Sequence, residues 1–131
     1  MIAVNLFHIL LLGPIMIYIG YFKEDINYSN NINIAKFMLV GISAMLPFIV
    51  NVPRLDKLYM DYHRINLAHW TVMLWYFWYI SYLFIFNKTI DLYIYMSLLI
   101  IGIIVIIVHL FKLIPKLLRK YNKNNSEEKQ L

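Results

Sequence analysis

Cysteine is absent from this chain of 131 residues. That excludes disulfides, thiolate metal sites, cysteine nucleophiles and haem attachment through a C-x-x-C-H motif. Charge is scarce as well: 15% of the residues are Asp, Glu, Lys or Arg, where a soluble domain has about 25%. No acidic residue falls inside a long apolar run, which leaves an Asp/Glu proton relay without its groups. The chain has no Gly-rich phosphate loop, no G-x-S-x-G and no H-E-x-x-H, the spacings that carry nucleotide, acyl-transfer and zinc-hydrolase chemistry. His63 and His69 are six apart and do not form the H-x-x-H-H clusters of membrane di-iron oxidases.

What is present is apolar: 62% of the chain is hydrophobic, arranged in uninterrupted blocks instead of stripes. An isolated helix needs about 20 apolar residues to cross a hydrocarbon core of roughly 30 Å. The sequence predicts four spans, at about 2–22, 34–52, 65–86 and 92–111, forming one membrane domain over residues 1–131. The fold class is therefore an all-α integral membrane protein, a four-transmembrane-helix bundle. The first run opens without a basic region and closes on Tyr18-Ile19-Gly20-Tyr21-Phe22, so it is expected to be retained as a span and not cleaved as a signal peptide.

Punctuation divides the runs. Gly13-Pro14 predicts a kink in the first span, because proline removes a backbone bond. Residues 23–33 are polar and read as a loop. In the second span, Lys36 can snorkel from its start, while Gly41, Ser43 and Ala44 are small enough to let a neighbouring helix approach. A charged connector, Arg54 to Arg64, precedes the third span, which carries Trp70, Trp75 and Trp78 and reads mostly as packing. Asn87-Lys88-Thr89 is a turn, and Asn124 to Leu131 reads as frayed.

Four spans place both termini on one side. The connector and tail hold nine of the twelve Lys and Arg residues, and Lys23, Lys36 and Lys88 lie opposite. By the positive-inside rule both termini face the cytoplasm; which membrane is involved is not encoded. The net charge of +5 comes mainly from the tail, 112–131. Lys112, Lys116, Arg119, Lys120 and Lys123 share a helical face suited to anionic lipid at the cytoplasmic surface, and no nucleic-acid partner is expected.

The densest polar stretch runs from Asp61 to Trp70 and includes His63, Arg64, Asn66 and His69. His8 lies about 9 Å, His69 about 6 Å and His109 about 3 Å from the inner ends of their spans. All three therefore belong to the inner leaflet. Ionisable residues avoid lipid and face a bundle interior or water. One expectation is thus a shared site of His8, His69 and His109, supported by Asn5, Asn51, Asn66 and Tyr76, holding haem or a transition metal. The plainer alternative is that each imidazole bonds backbone, headgroup or water near a helix end. With no enzyme signature, we read a non-enzymatic membrane component acting through helix packing and its basic cytoplasmic face. The alternatives are a haem- or metal-binding membrane protein and an oligomeric ion channel or carrier, with self-association of copies.

Overall fold

In the computed structural model the backbone is described for residues 2–49 and 60–128, and the side chains for residues 2–46 and 71–123. Asn51 and the side chains of His63, Asn66 and His69 lie outside the described residues. Every regular element among those described is helical. Helix α1 is Ile2–Phe22, α2 is Ser29–Ile49, α3 is Met60–Ile85 and α4 is Leu92–Glu128. A single 3-10 turn, Ile26–Tyr28, precedes α2. Contacts divide the chain into two units, one pairing α1 with α4 and the other pairing α2 with α3.

Two of these helices, α1 and the Leu92–Lys123 part of α4, are long and apolar enough to cross a membrane. Only 33% of the most apolar window of α1 and 17% of that of α4 is buried inside the chain. A helix in the core of a water-soluble protein hides most of such a surface; these two leave it outward.

Helix α1 is not a uniform α-helix. Residues His8–Leu12 form a π-turn in which the Gly13 N–H donates to the His8 carbonyl, five residues back. Pro14 has no N–H to give, so the expected disturbance at Gly13-Pro14 takes the form of a widened turn. The helix ends at Lys23, which takes a positive φ of 56° and donates its N–H to Ile19 at 3.0 Å.

Helix α4 runs antiparallel to α1, and glycines set their separation. A Cβ on Gly20 would lie 2.6 Å from both the Leu99 nitrogen and the Tyr95 oxygen. A Cβ on Gly102 would lie 2.9 Å from Ile17 Cγ1 and 3.0 Å from the Gly13 oxygen, and one on Gly13 would collide with Ile106. Small residues allow backbones this close, and the gain is dispersion contact along the whole seam. Tyr95 and Leu98 are buried on this face of α4. At the far end of the pair the Tyr95 hydroxyl donates to Glu24 Oε1 at 2.9 Å.

In the second unit, α2 and α3 are also antiparallel. Trp78 Nε1–H donates to the Ser43 carbonyl at 3.2 Å, and Lys36 Nζ lies 5.2 Å from the centre of the Phe84 ring. Ile32, Ala35, Leu39, Ser43 and Leu46 are buried on α2, a three-and-four spacing that marks one helix face. Because that face starts at Ile32, the helix begins at Ser29, inside the stretch whose polar composition reads as loop. Of the three small residues, only Ser43 is buried; Gly41 faces open space and Ala44 is exposed. Helix α3 starts at Met60, five residues before the expected span, there being no glycine or proline to hold the helix off. It ends at Asn87, which adopts φ 46° while Asn87 N–H bonds Phe84 O and Lys88 N–H bonds Leu83 O. That pair of bonds is the Schellman arrangement, and asparagine tolerates its left-handed position. Contrary to the expected fraying, α4 continues as helix through Glu128.

Candidate functional site

The first turns of α1 carry Asn5 and His8, three residues apart and therefore on one side of the helix. In a regular α-helix, Gly13 would sit ~140° around from His8, at ~100° per residue. The π-turn closes Gly13 back over His8, so the polar pair and the glycine seam can meet the same partner. That partner is α4, which presents His109 beside His8 and Ile106 beside Gly13.

The two imidazoles stack, with centroids 4.0 Å apart and planes 13° from parallel. His8 Nδ1 lies 2.7 Å from the Val4 carbonyl oxygen. A carbonyl only accepts, so Nδ1 carries the proton. His109 Nδ1 lies 3.0 Å from Asn5 Oδ1, which assigns it the same role. In the neutral rings both lone pairs then reside on Nε2. Asn5 is 4% exposed, and among the described residues its Nδ2 has no hydrogen-bond partner. Phe7 packs edge-on against His8 at 5.6 Å.

This arrangement has definite chemical limits. Histidines that bind metal donate the other ring N–H to an oxygen acceptor, as both rings do here. Each Nε2 lone pair lies in its own ring plane, however, and planes only 13° from parallel do not bring the two lone pairs to one point. Joint ligation of one ion, with nitrogens about 2 Å from it, requires one ring to leave the stack; so does a haem held axially on both faces. Among the described residues no group of three His, Cys, Asp or Glu side chains is placed to hold a metal ion. As it stands, the cluster is a polar clasp between α1 and α4.

No family model, curated protein or solved structure matches the chain. Function must therefore be argued from these residues alone.

Of the residues singled out in the sequence, Asn5, His8 and His109 come together at one end of the α1–α4 pair. His69, Asn66 and Asn51 lie outside the described side chains. Tyr76 is half-buried on α3, its ring 5.7 Å from Phe77. Lys112, Arg119, Lys120 and Lys123 are exposed on the last turns of α4, and Lys116 is half-buried there. The sequence signals passed over Gly13 and Gly20 as contact positions, although their separation of seven residues puts them on one helix face. The Glu24–Tyr95 bond was also passed over, since it joins a loop residue to a helix 71 residues later.

Proposed function

We propose that the chain is a small multi-pass membrane protein of four spans with both termini cytoplasmic, acting without catalysis through helix packing and a basic cytoplasmic face. The observation that carries this is the change along α4. One helix of 37 residues, with Pro115 inside it, about 55 Å long at about 1.5 Å per residue, is apolar from Leu92 to Phe111 and carries Lys112, Lys116, Arg119, Lys120 and Lys123 beyond that. The apolar part matches a hydrocarbon core of roughly 30 Å, so the helix leaves the bilayer near Lys112. Its basic face then meets anionic headgroups, each cation being worth roughly 1 kcal/mol near such a surface. The excess of Lys and Arg on the connector and tail supports the orientation.

A tag at either terminus is expected to be protected in intact cells, and a site within Asn27–Asn33 to be reached from the far side of the membrane. Labelling of a terminal tag from outside would overturn the orientation. Release of the chain by alkaline extraction would overturn the membrane assignment itself. A second reading, ligation of a metal or haem through a single Nε2, is favoured by the Nδ1 bonds of His8 and His109. Its test is an absorbance spectrum and elemental analysis of the purified chain, and a protein without a Soret band or stoichiometric metal would exclude it.

A further inference from the structure

The polar clasp between α1 and α4 is held at a cost. Asn5 is buried, yet its Nδ2 has no hydrogen-bond partner among the described residues, and a buried amide donor without an acceptor is destabilising. His8–Leu12 is wound as a π-turn, a winding that helices adopt rarely and often at functional sites. Both costs have one origin. The turn holds one residue more than an α-helical turn, because the Gly13 N–H reaches back five residues to the His8 carbonyl and not four.

Taking that extra residue out of the turn gives a defined second arrangement. The Gly13 N–H would return to the Ile9 carbonyl, and residues 2–8 would rotate by ~100° and shift by ~1.5 Å relative to the rest of α1. Leu6 then stands where Asn5 stands now, and Ile9 where His8 stands. Leu6 and Ile9 are three apart, like the pair they replace, and apolar, so they can pack on α4 without stranding a polar group. Asn5 moves to the side now held by Val4, which is 46% exposed, and His8 to that of the half-buried Phe7. The glycine seam, from Gly13 to Gly20, keeps its contacts. Pro14 opposes the change: in the α-helical winding its ring meets the Leu10 carbonyl and offers it no N–H.

We propose that residues 2–8 of α1 form a two-position switch. In the π-wound position Asn5 and His8 are held against α4; in the α-wound position Leu6 and Ile9 take their places and Asn5 faces away. Pro14 favours the first position and the orphaned Asn5 amide favours the second, while the rest of α1 stays packed on α4 in both. A group that accepts a hydrogen bond from the outward Asn5 shifts the balance to the α-wound position, because it binds that position alone. The inference rests on the packing of α1 on α4 and not on the membrane assignment.

Nuclear magnetic resonance on the full chain, isotope-labelled and purified in detergent, tests the switch. The unmodified chain is expected to show a contact between the His8 and His109 rings, whose centroids are 4.0 Å apart, with exchange broadening over residues 2–12 and none over 15–22. Flat relaxation dispersion over 2–12 overturns the inference without any substitution. Pro14→Ala supplies an N–H for the Leu10 carbonyl and is expected to lose the ring contact and to gain one between Ile9 and the His109 ring. Deleting Leu10 as well removes the extra residue and leaves Asn5 and His8 in phase with the glycines, so this double variant is expected to regain the ring contact and lose the broadening. The close approach of Gly20 to Leu99 should persist in both variants, which separates a turned segment from an unfolded one; where it is lost, the dispersion of the unmodified chain decides alone. If that approach persists and Pro14→Ala keeps the two rings together, or the double variant fails to restore them, residues 2–8 have one position only.

Discussion

Substituting Gly20 with Ala tests a position where α1 lies directly against the backbone of α4. The added Cβ would sit 2.6 Å from two backbone atoms of α4, Leu99 N and Tyr95 O, and 2.9 Å from Leu99 Cβ. Ordinary contact begins at 3.4 Å, so the helices must separate by 3.4 − 2.6, or 0.8 Å. Backbone atoms in a helix cannot step aside as a side chain does. Overpacking of this kind costs about 1–3 kcal/mol, and a gap of this size also forfeits a quarter to a half of each dispersion contact it opens, a fraction that is only approximate. Against this, alanine is a better helix former than glycine by about 1 kcal/mol. The loss wins, and the α1–α4 pair should weaken by about 1–2 kcal/mol, a change of roughly five- to thirty-fold in its opening equilibrium. Leu98 is fully buried on the contact face of α4, so a Leu98→Cys background supplies one thiol whose labelling rate reports opening. Gly20→Ala should raise that rate. Gly41→Ala is the control, because its Cβ meets nothing within 4 Å and only the helix preference remains. If Gly20→Ala labels no faster than its parent, the two backbones are not in contact at this position.

The same thiol reports two further perturbations, and vesicle binding a third. A double-mutant cycle of Asn5→Ala and His109→Ala should give a coupling of about 0.5–1.5 kcal/mol for the Oδ1–Nδ1 bond, and zero coupling would mean that the bond is not made. Glu24→Ala should destabilise more than Tyr95→Phe, because it strands a buried hydroxyl at a cost of about 1–3 kcal/mol while phenylalanine removes donor and need together; the reverse order would refute that pairing. Replacing Lys116, Arg119, Lys120 and Lys123 with Gln should weaken binding to anionic vesicles, and the difference from the parent should shrink as salt shortens screening to about 8 Å; binding that is unchanged and insensitive to salt would refute an electrostatic role for the tail.

Much of the helical layout can be read from the chain itself. The long runs without charge appear as α1 and the first part of α4, and Asn87 ends α3 where its side chain type permits a left-handed residue. The shared face of Tyr95, Leu98, Gly102, Val105 and His109 follows from helical spacing, and Tyr95, Leu98 and Gly102 are buried. Polar contrast made these features visible. Where every residue is apolar the contrast disappears, so composition could not tell a contact face from an outward one. Trp75 and Trp78 both read as packing; Trp78 does reach the Ser43 carbonyl of α2, while Trp75 is 66% exposed. Gly41 looked like a contact residue and is open, while Gly20, which nothing in the sequence singled out, lies against the backbone of α4. The Asn-rich stretch before Ile34 misled in the opposite sense: its polar side chains point out from a helix held by Ile32.

The π-turn links these observations. Asn5 and His8 share one face, and Gly13 and Gly20, seven apart, share another. In an unbroken α-helix the two faces would diverge by ~140°, and α4 could meet the histidine or the glycines but not both. A wider turn between them costs hydrogen-bond geometry, which is why such turns are rare. Here the cost is reduced by sequence: Pro14 would leave a carbonyl of the preceding turn unpaired in a regular helix, and Gly13 supplies the N–H that reaches back to His8. The Gly-Pro pair thus does more than bend α1. It rotates the first two turns relative to the rest, so that the stacked histidines, the buried Asn5 and the glycine seam all fall on one line against α4.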